Sequence, residues 1–252
     1  MLISAAAAAE PIDTAPGARA WSVFVSPYAW AASLIGDAAI AGRRTAVAVP
    51  FSEVLSHLDL AVMGNIEVGN GLYGVYLDGQ HVETSQRAQA LGLRLGIGIT
   101  TTRLSAGAFF KLHEVALGGQ TVFNRPRTLS LEPTAGLRWT RLSADIGVLG
   151  LGFGKASDWY DPFAGLRINA DLDARWNLFV QADIGGTGAS QYSAQIQAYL
   201  GYRTYLLGHE TVLRAGYRAI HQVHEAADFT GRGRFRWDVT QHGPALGLTM
   251  RF

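Results

Sequence analysis

Residues 243–252 read G-P-A-L-G-L-T-M-R-F and alternate without a break. Pro244, Leu246, Leu248, Met250 and Phe252 share one face of an extended chain, and Gly243, Ala245, Gly247, Thr249 and Arg251 share the other. Side chains of a strand point to opposite faces in turn, so this two-residue period predicts a β-strand. It recurs upstream. Trp176, Leu178, Val180, Ala182 and Ile184 oppose Asn177, Gln181 and Asp183. Tyr192, Ala194, Ile196, Ala198, Leu200 and Tyr202 oppose Gln191, Ser193, Gln195, Gln197 and Arg203. Leu129, Leu131, Ala135, Leu137 and Trp139 oppose Ser130, Glu132, Thr134, Arg138 and Thr140. An arginine on a lipid-facing wall near the bilayer midplane costs about 2–4 kcal/mol, so the charged set belongs inside and the apolar set against lipid.

The rhythm divides into ten strands, beginning near Trp21, Leu60, Leu72, Ile97, Thr128, Trp159, Arg175, Gln191, Thr211 and Phe235. That is the pattern of an all-β fold, a transmembrane antiparallel up-and-down β-barrel. Asn70-Gly71 is a strong two-residue turn signal, and residues 171–174 and 205–209 are similarly short; such turns belong on the periplasmic side. Residues 31–59, 82–96, 143–158, 186–190 and 221–234 are then expected as external loops, and 118–127 as a longer periplasmic connection. A twelve-strand alternative breaks 88–115 at 100–103 and makes 36–49 a spanning strand. Adjacent Arg43 and Arg44 would then put one guanidinium on lipid, which favours ten. Residues 51–58 (FSEVLSHL) break the alternation: Ser52 as N-cap, with Val54, Leu55 and Leu58 at helical spacing, predicts one short helix over the barrel mouth or inside the lumen.

Composition fits this pattern. The 252 residues include 30 glycines, 10% aromatics and only 16% charged residues, and mean hydropathy is slightly positive. Yet no stretch approaches the roughly 20 apolar residues of a membrane helix. A barrel spreads its apolar surface over every second residue of many strands. Nothing divides residues 19–252, which are expected to form one domain. Residues 1–18, opening MLISAAAAA, have the small-residue character of the end of a signal peptide and are set apart from the barrel. A net charge of +1 gives no argument for nucleic acid. With no cysteine, disulfides and thiolate chemistry are excluded.

Charges at inward parity are Glu67, Asp78, Glu132, Arg138, Arg167, Asp183, Arg203, Arg214 and Arg218. In a lumen only modestly wider than a side-chain-filled eight-stranded one, both signs should pair and plug the barrel, with an arginine excess that leaves any narrow path anion-leaning. A motif recurs at Ala135-Gly136-Leu137-Arg138, Ala164-Gly165-Leu166-Arg167, Leu200-Gly201-Tyr202-Arg203 and Ala215-Gly216-Tyr217-Arg218. Its glycine is expected to leave room for the guanidinium along the wall. Two other sets could carry chemistry. Asp158 and Asp161 flank an aromatic pair but have opposite strand parity. His221 and His224, near Glu225 and Asp228, have a spacing that suits a metal on a helix, whereas an exposed loop is expected there. No Ser/His/acid spacing points to a hydrolase, and neither cofactor nor metal is expected.

Residues 21–30 (WSVFVSPYAW), 51–64 (FSEVLSHLDLAVMG), 158–165 (DWYDPFAG) and 175–188 (RWNLFVQADIGGTG), with the closing strand, carry a resemblance to a family of uncharacterised proteobacterial outer-membrane β-barrel proteins. The likeness runs from about Trp21 to Phe252, and departs in residues 88–99, which are more apolar than the acidic loop of that family. It implies residence in the bacterial outer membrane, contact with outer-membrane lipid and lipopolysaccharide, and insertion by the barrel-assembly machinery through the C-terminal strand ending in Phe252. It implies no enzymatic role. The expectation is a non-enzymatic barrel of structural or narrow-pore type, and the rival is a hydrolase with an Asp/His site at the extracellular rim.

Overall fold

A computed structural model describes residues 20–40, 43–90, 93–148, 151–188, 191–227 and 234–252. The expected signal segment, residues 1–18, lies outside them. The elements in chain order are β1 (Ser22–Trp30), β2 (Ser33–Ile40), β3 (Arg43–Val49), α1 (Phe51–Ser56), β4 (Leu58–Gly69), β5 (Tyr73–Ala90), β6 (Leu93–Phe110), β7 (His113–Gln120), β8 (Pro126–Val148), β9 (Leu151–Asp171), β10 (Trp176–Gly188), β11 (Gln191–Leu206), β12 (His209–Ala227) and β13 (Arg234–Arg251). Ten of them pair antiparallel in the order β1, β4, β5, β6, β8, β9, β10, β11, β12, β13, and β13 returns to β1 to close the ring. Closure leaves the spanning wall without an open edge, which a hydrocarbon solvent requires because it satisfies no backbone group. Val23 and Phe252 exchange both backbone hydrogen bonds, at 3.1 and 2.9 Å.

The two faces are inverted relative to a water-soluble protein. Leu246 is 63% and Ile184 71% exposed, whereas Arg138 and Asp161 are completely buried. Such a surface is stable only in lipid, and the strands rather than any helix make the crossing. Tight turns close the periplasmic end. Asn70 Oδ1 accepts the backbone N–H of Leu72 and Tyr73, and Asp173 Oδ1 accepts those of Arg175 and Trp176. These donors hold the exposed Asp173 carboxyl below its ordinary range. At Leu207 and Gly208 both turn residues have positive φ, 53° and 82°, the geometry that matches the twist of a two-residue hairpin.

The strands begin close to the expected positions, but they run farther outward. Residues 82–90, 143–148, 151–158 and 221–227 are strand rather than loop. Above the lipid both faces of the wall are wet, so sequences such as Glu83-Thr84-Ser85-Gln86 lose the apolar alternation while keeping the ladder. The expected loop 31–59 holds β2, β3 and α1. The outer part of β13 leaves β1 and pairs instead with β2, from His242↔Ser33 to Arg236↔Ala39. At that branch a Cβ on Gly243 would sit 1.9 Å from the carbonyl oxygen of Ala31, so only glycine admits the crossing. Hairpin β2–β3 stays outside the closed ring and β6 is unbroken through Thr100–Arg103, so the twelve-strand arrangement does not form. Helix α1 is not capped by Ser52. Pro50 occupies the N-cap, and Ser33 Oγ accepts the Phe51 N–H at 3.0 Å. With no buried residue, α1 lies at the rim and not in the lumen. The periplasmic connection is longer than 118–127, because β7 pairs with the start of β8.

Candidate functional site: the lumen

Since inward positions fall on every second residue of each strand, side chains from facing walls meet at the barrel axis. Near the periplasmic mouth Arg251 reaches Glu210 at 3.1 Å, and Glu210 also holds Arg125. Arg203 pairs with Asp171 on the same level. Deeper, Arg167 of β9 crosses to Glu67 of β4 at 2.9 Å and lies 3.5 Å from Glu132. Arg218 of β12 donates to Asp78 of β5 at 3.0 Å, to Tyr28 Oη at 2.9 Å and to Gln195 Oε1 at 3.0 Å. Arg138 of β8 donates to Asp183 of β10 at 2.7 Å and to Ser193 Oγ at 2.9 Å. Arg214 sits apart: among the described residues it joins no ion pair, and its guanidinium lies 5.3 Å from the centre of the Phe179 ring. The structure thus brings eight of the inward charges into ion pairs and leaves Arg214 on an aromatic face.

Sequence reasoning missed the layer that crosses the lumen most completely. Arg103 of β6, 1% exposed, donates to Gln80 Oε1 of β5 at 3.1 Å, Gln222 Oε1 of β12 at 2.6 Å and Gln241 Oε1 of β13 at 2.9 Å. Gln222 in turn donates to Thr140 Oγ1 at 3.1 Å. Its inward parity with Ser105 was the available signal. The luminal aromatics were missed as well. Phe109, Phe163, Phe179 and Trp30 face inward, and the guanidinium of Arg167 lies 3.8 Å from the centre of Phe109, Arg138 4.9 Å from Phe163 and Arg218 5.2 Å from Trp30. A guanidinium on a ring face gains about 2 kcal/mol when desolvated.

These rings change the meaning of the repeated glycine. A Cβ on Gly136 would lie 2.1 Å from Ala106 O and 2.7 Å from Phe163 Cζ, and one on Gly216 would lie 2.0 Å from Ala198 O and 2.6 Å from Tyr199 Cδ1. At Gly136 and Gly216 the glycine admits the neighbouring strand and an aromatic ring laid over it; at Gly165 it admits Ala182 O and Asp183, and at Gly201 the side chains of Asn177 and Val212, rather than the arginine beside it.

Below the Arg218 layer the lumen opens into a vestibule of about 440 Å³ that reaches the periplasmic turns at Asn70 and Gly71. A second void, of about 30 Å³, lies between Arg138, Arg218, Asp78 and Ser105.

The rim candidates separate. Asp161 and His224 face inward; Asp158 and His221 face outward on the same strands. His221 Nδ1 is 3.0 Å from Thr240 Oγ1 and Nε2 is 3.7 Å from Asp238. His224 stacks flat on Trp159 at 4.3 Å, and its Nε2 is 3.5 Å from Ser157 Oγ. The pair lies in β12 and not in the expected loop, and strand parity sends its two rings to opposite faces. Burial against Trp159 lowers the His224 pKa, with Asp161 and then Asp158 pulling it back. Asp228 lies outside the described residues. No group of three or more His, Asp or Glu among the described residues is arranged to hold a metal ion.

No protein-family model matches the chain, and no curated protein matches it. Solved structures do. The outer-membrane protease OmpT of Escherichia coli is similar with a TM-score of 0.53 at 10% identity, covering 92% of this chain and 96% of that one. The transport unit of the autotransporter AIDA-I from Escherichia coli gives 0.41 at 8% identity over 96% and 92%. The attachment invasion locus protein Ail of Yersinia pestis, in complex with sucrose octasulfate, gives 0.39 at 11% identity over 92% and 98%. The fold is that of bacterial outer-membrane β-barrels, and with its lipid-facing surface it places the chain in the bacterial outer membrane.

Proposed function

We propose that the chain is a non-enzymatic outer-membrane barrel of structural or narrow-pore type, its lumen largely filled by paired side chains. One observation carries this reading. The Arg103 layer joins β6 to the far wall at β12 and β13, so a solute crossing the lumen has to displace it. Buried hydrogen bonds to a charged group contribute about 1.5–3 kcal/mol each, enough to hold such a layer shut most of the time. Conductance of the refolded protein in planar bilayers tests it: wild type should be silent or give small steps, and Arg103→Ala should give larger ones. Large, steady porin-sized steps from wild type would overturn the reading.

The resemblance over residues 21–252 supports membership of the uncharacterised proteobacterial barrel family, contact with lipopolysaccharide, and insertion by the assembly machinery through the strand ending in Phe252. Deleting Phe252 should lower the yield of heat-modifiable barrel in cells, and an unchanged yield would remove that partner.

A second reading, a rim hydrolase, is favoured by Asp161 and His224 sharing the inner wall with Ser157 Oγ beside His224 Nε2. The chain resembles the protease OmpT in fold. Cleavage of peptide or lipid substrates that vanishes in folded His224→Ala or Asp161→Ala protein would replace the first reading.

A further inference from the structure

The vestibule has the size of a ligand site, about 440 Å³, within the roughly 300–1,000 Å³ of small-molecule pockets. Its charges do not balance: six Lys and Arg side chains line it, against the carboxylates Glu67, Asp78 and Glu132. Five of those cations are already held. Arg167 and Arg218 take the luminal carboxylates, Arg125 and Arg251 share Glu210, and Lys111 pairs with Glu114. Arg214 is left over. It has no ion pair among the described residues, its Nε is buried without a hydrogen-bond partner, and Phe179 backs its guanidinium. A guanidinium on a ring, facing an open chamber, is a strong and directional receptor for an oxyanion.

The rest of the lining supplies a second kind of contact. The amides of Asn65 and Asn169 border the chamber, and neither makes a side-chain hydrogen bond among the described residues. Rings of Tyr76, Phe109 and Tyr199 stand around them. Free amides match hydroxyl groups, and aromatic faces match the C–H face of a sugar ring. We infer that the vestibule is a periplasm-facing binding site for a small anionic sugar, a sugar phosphate or sugar acid, with Arg214 as the anion ligand and Asn65 and Asn169 as hydroxyl ligands.

The inference rests on a lumen closed above the vestibule, but not on whether any ion passes through it. Calorimetric titration of the refolded protein in detergent tests it independently of conductance. Glucose 6-phosphate and glucuronate should bind, each tighter than glucose and tighter than inorganic phosphate. Arg214→Met should weaken both anionic sugars at least tenfold, and Arg214→Lys less. Because Glu67, the carboxylate that acts on Arg214, keeps its ion pair with Arg167, the Met variant should still fold, which heat-dependent gel mobility checks. Equal affinity for glucose and glucose 6-phosphate, or unchanged binding in folded Arg214→Met, overturns the proposal.

Discussion

Arg138 and Arg103 stand on neighbouring strands of one lumen, equally hidden from water, and are held in opposite ways. Arg138 has a buried carboxylate, Asp183, and a ring, Phe163. Arg103 has only amide oxygens, from Gln80, Gln222 and Gln241. A charge pair in low dielectric stays together, because separating it leaves two bare ions. A charge held by neutral amides can be exchanged for water one bond at a time. The level of Arg138 is therefore built as a fixed brace and the level of Arg103 as a releasable bar.

The largest effect should come from breaking the brace. Asp183→Ala leaves the Arg138 guanidinium buried without its counter-ion, a change that costs about 3–5 kcal/mol. Urea unfolding in lipid vesicles should show that loss, and a change below about 1 kcal/mol would mean that water already screens the pair. The double variant Arg138→Met/Asp183→Leu should recover most of the loss, since it buries neither ion.

The bar should respond less. Gln222→Leu removes one oxygen from Arg103 and should cost about 1.5–3 kcal/mol. Arg103→Met should cost less still, because Gln80, Gln222 and Gln241 can turn to one another, to Thr140 or to water. If Arg103→Met destabilised the barrel as much as Asp183→Ala, the two regions would not differ in kind.

How far this contrast was legible in sequence follows from what each residue faces. Inward charges could be read because lipid tolerates no alternative at positions such as Arg138 and Arg218. Their partners could not, because pairing runs between strands far apart in the chain: Asp183 is 45 residues from Arg138, and Gln241 is 138 from Arg103. Arg103 itself was hidden by neutral partners, and it lies in the 100–103 stretch where the twelve-strand alternative breaks the strand. Phe163 and Phe179 were passed over because an aromatic ring suits lipid as well as lumen, although each shares parity with a buried charge, Arg167 or Asp183. The strand ends above the membrane were illegible for a simpler reason, since water on both faces removes the alternation. The rim histidines lay in that stretch.

The smallest effect belongs to the rim, where the bar gives way to the stacked pair of His224 and Trp159. Burial lowers the pKa of His224 below its ordinary value near 6.5. Between that value and its lower folded midpoint the unfolded chain binds more protons than the folded one, so stability falls as pH drops through 6.5 and is full above it. Asp161 and Asp158 oppose the shift, which keeps the window narrow. An NMR titration of the His224 ring should place its midpoint below the ordinary histidine value near 6.5. Acidification should loosen the stack, seen as a change in Trp159 emission that is absent in Trp159→Phe and in His224→Phe. A midpoint at or above 6.5 would mean that Asp161 governs the ring, and would draw Asp161, His224 and Ser157 together as interacting groups, the arrangement the hydrolase reading needs.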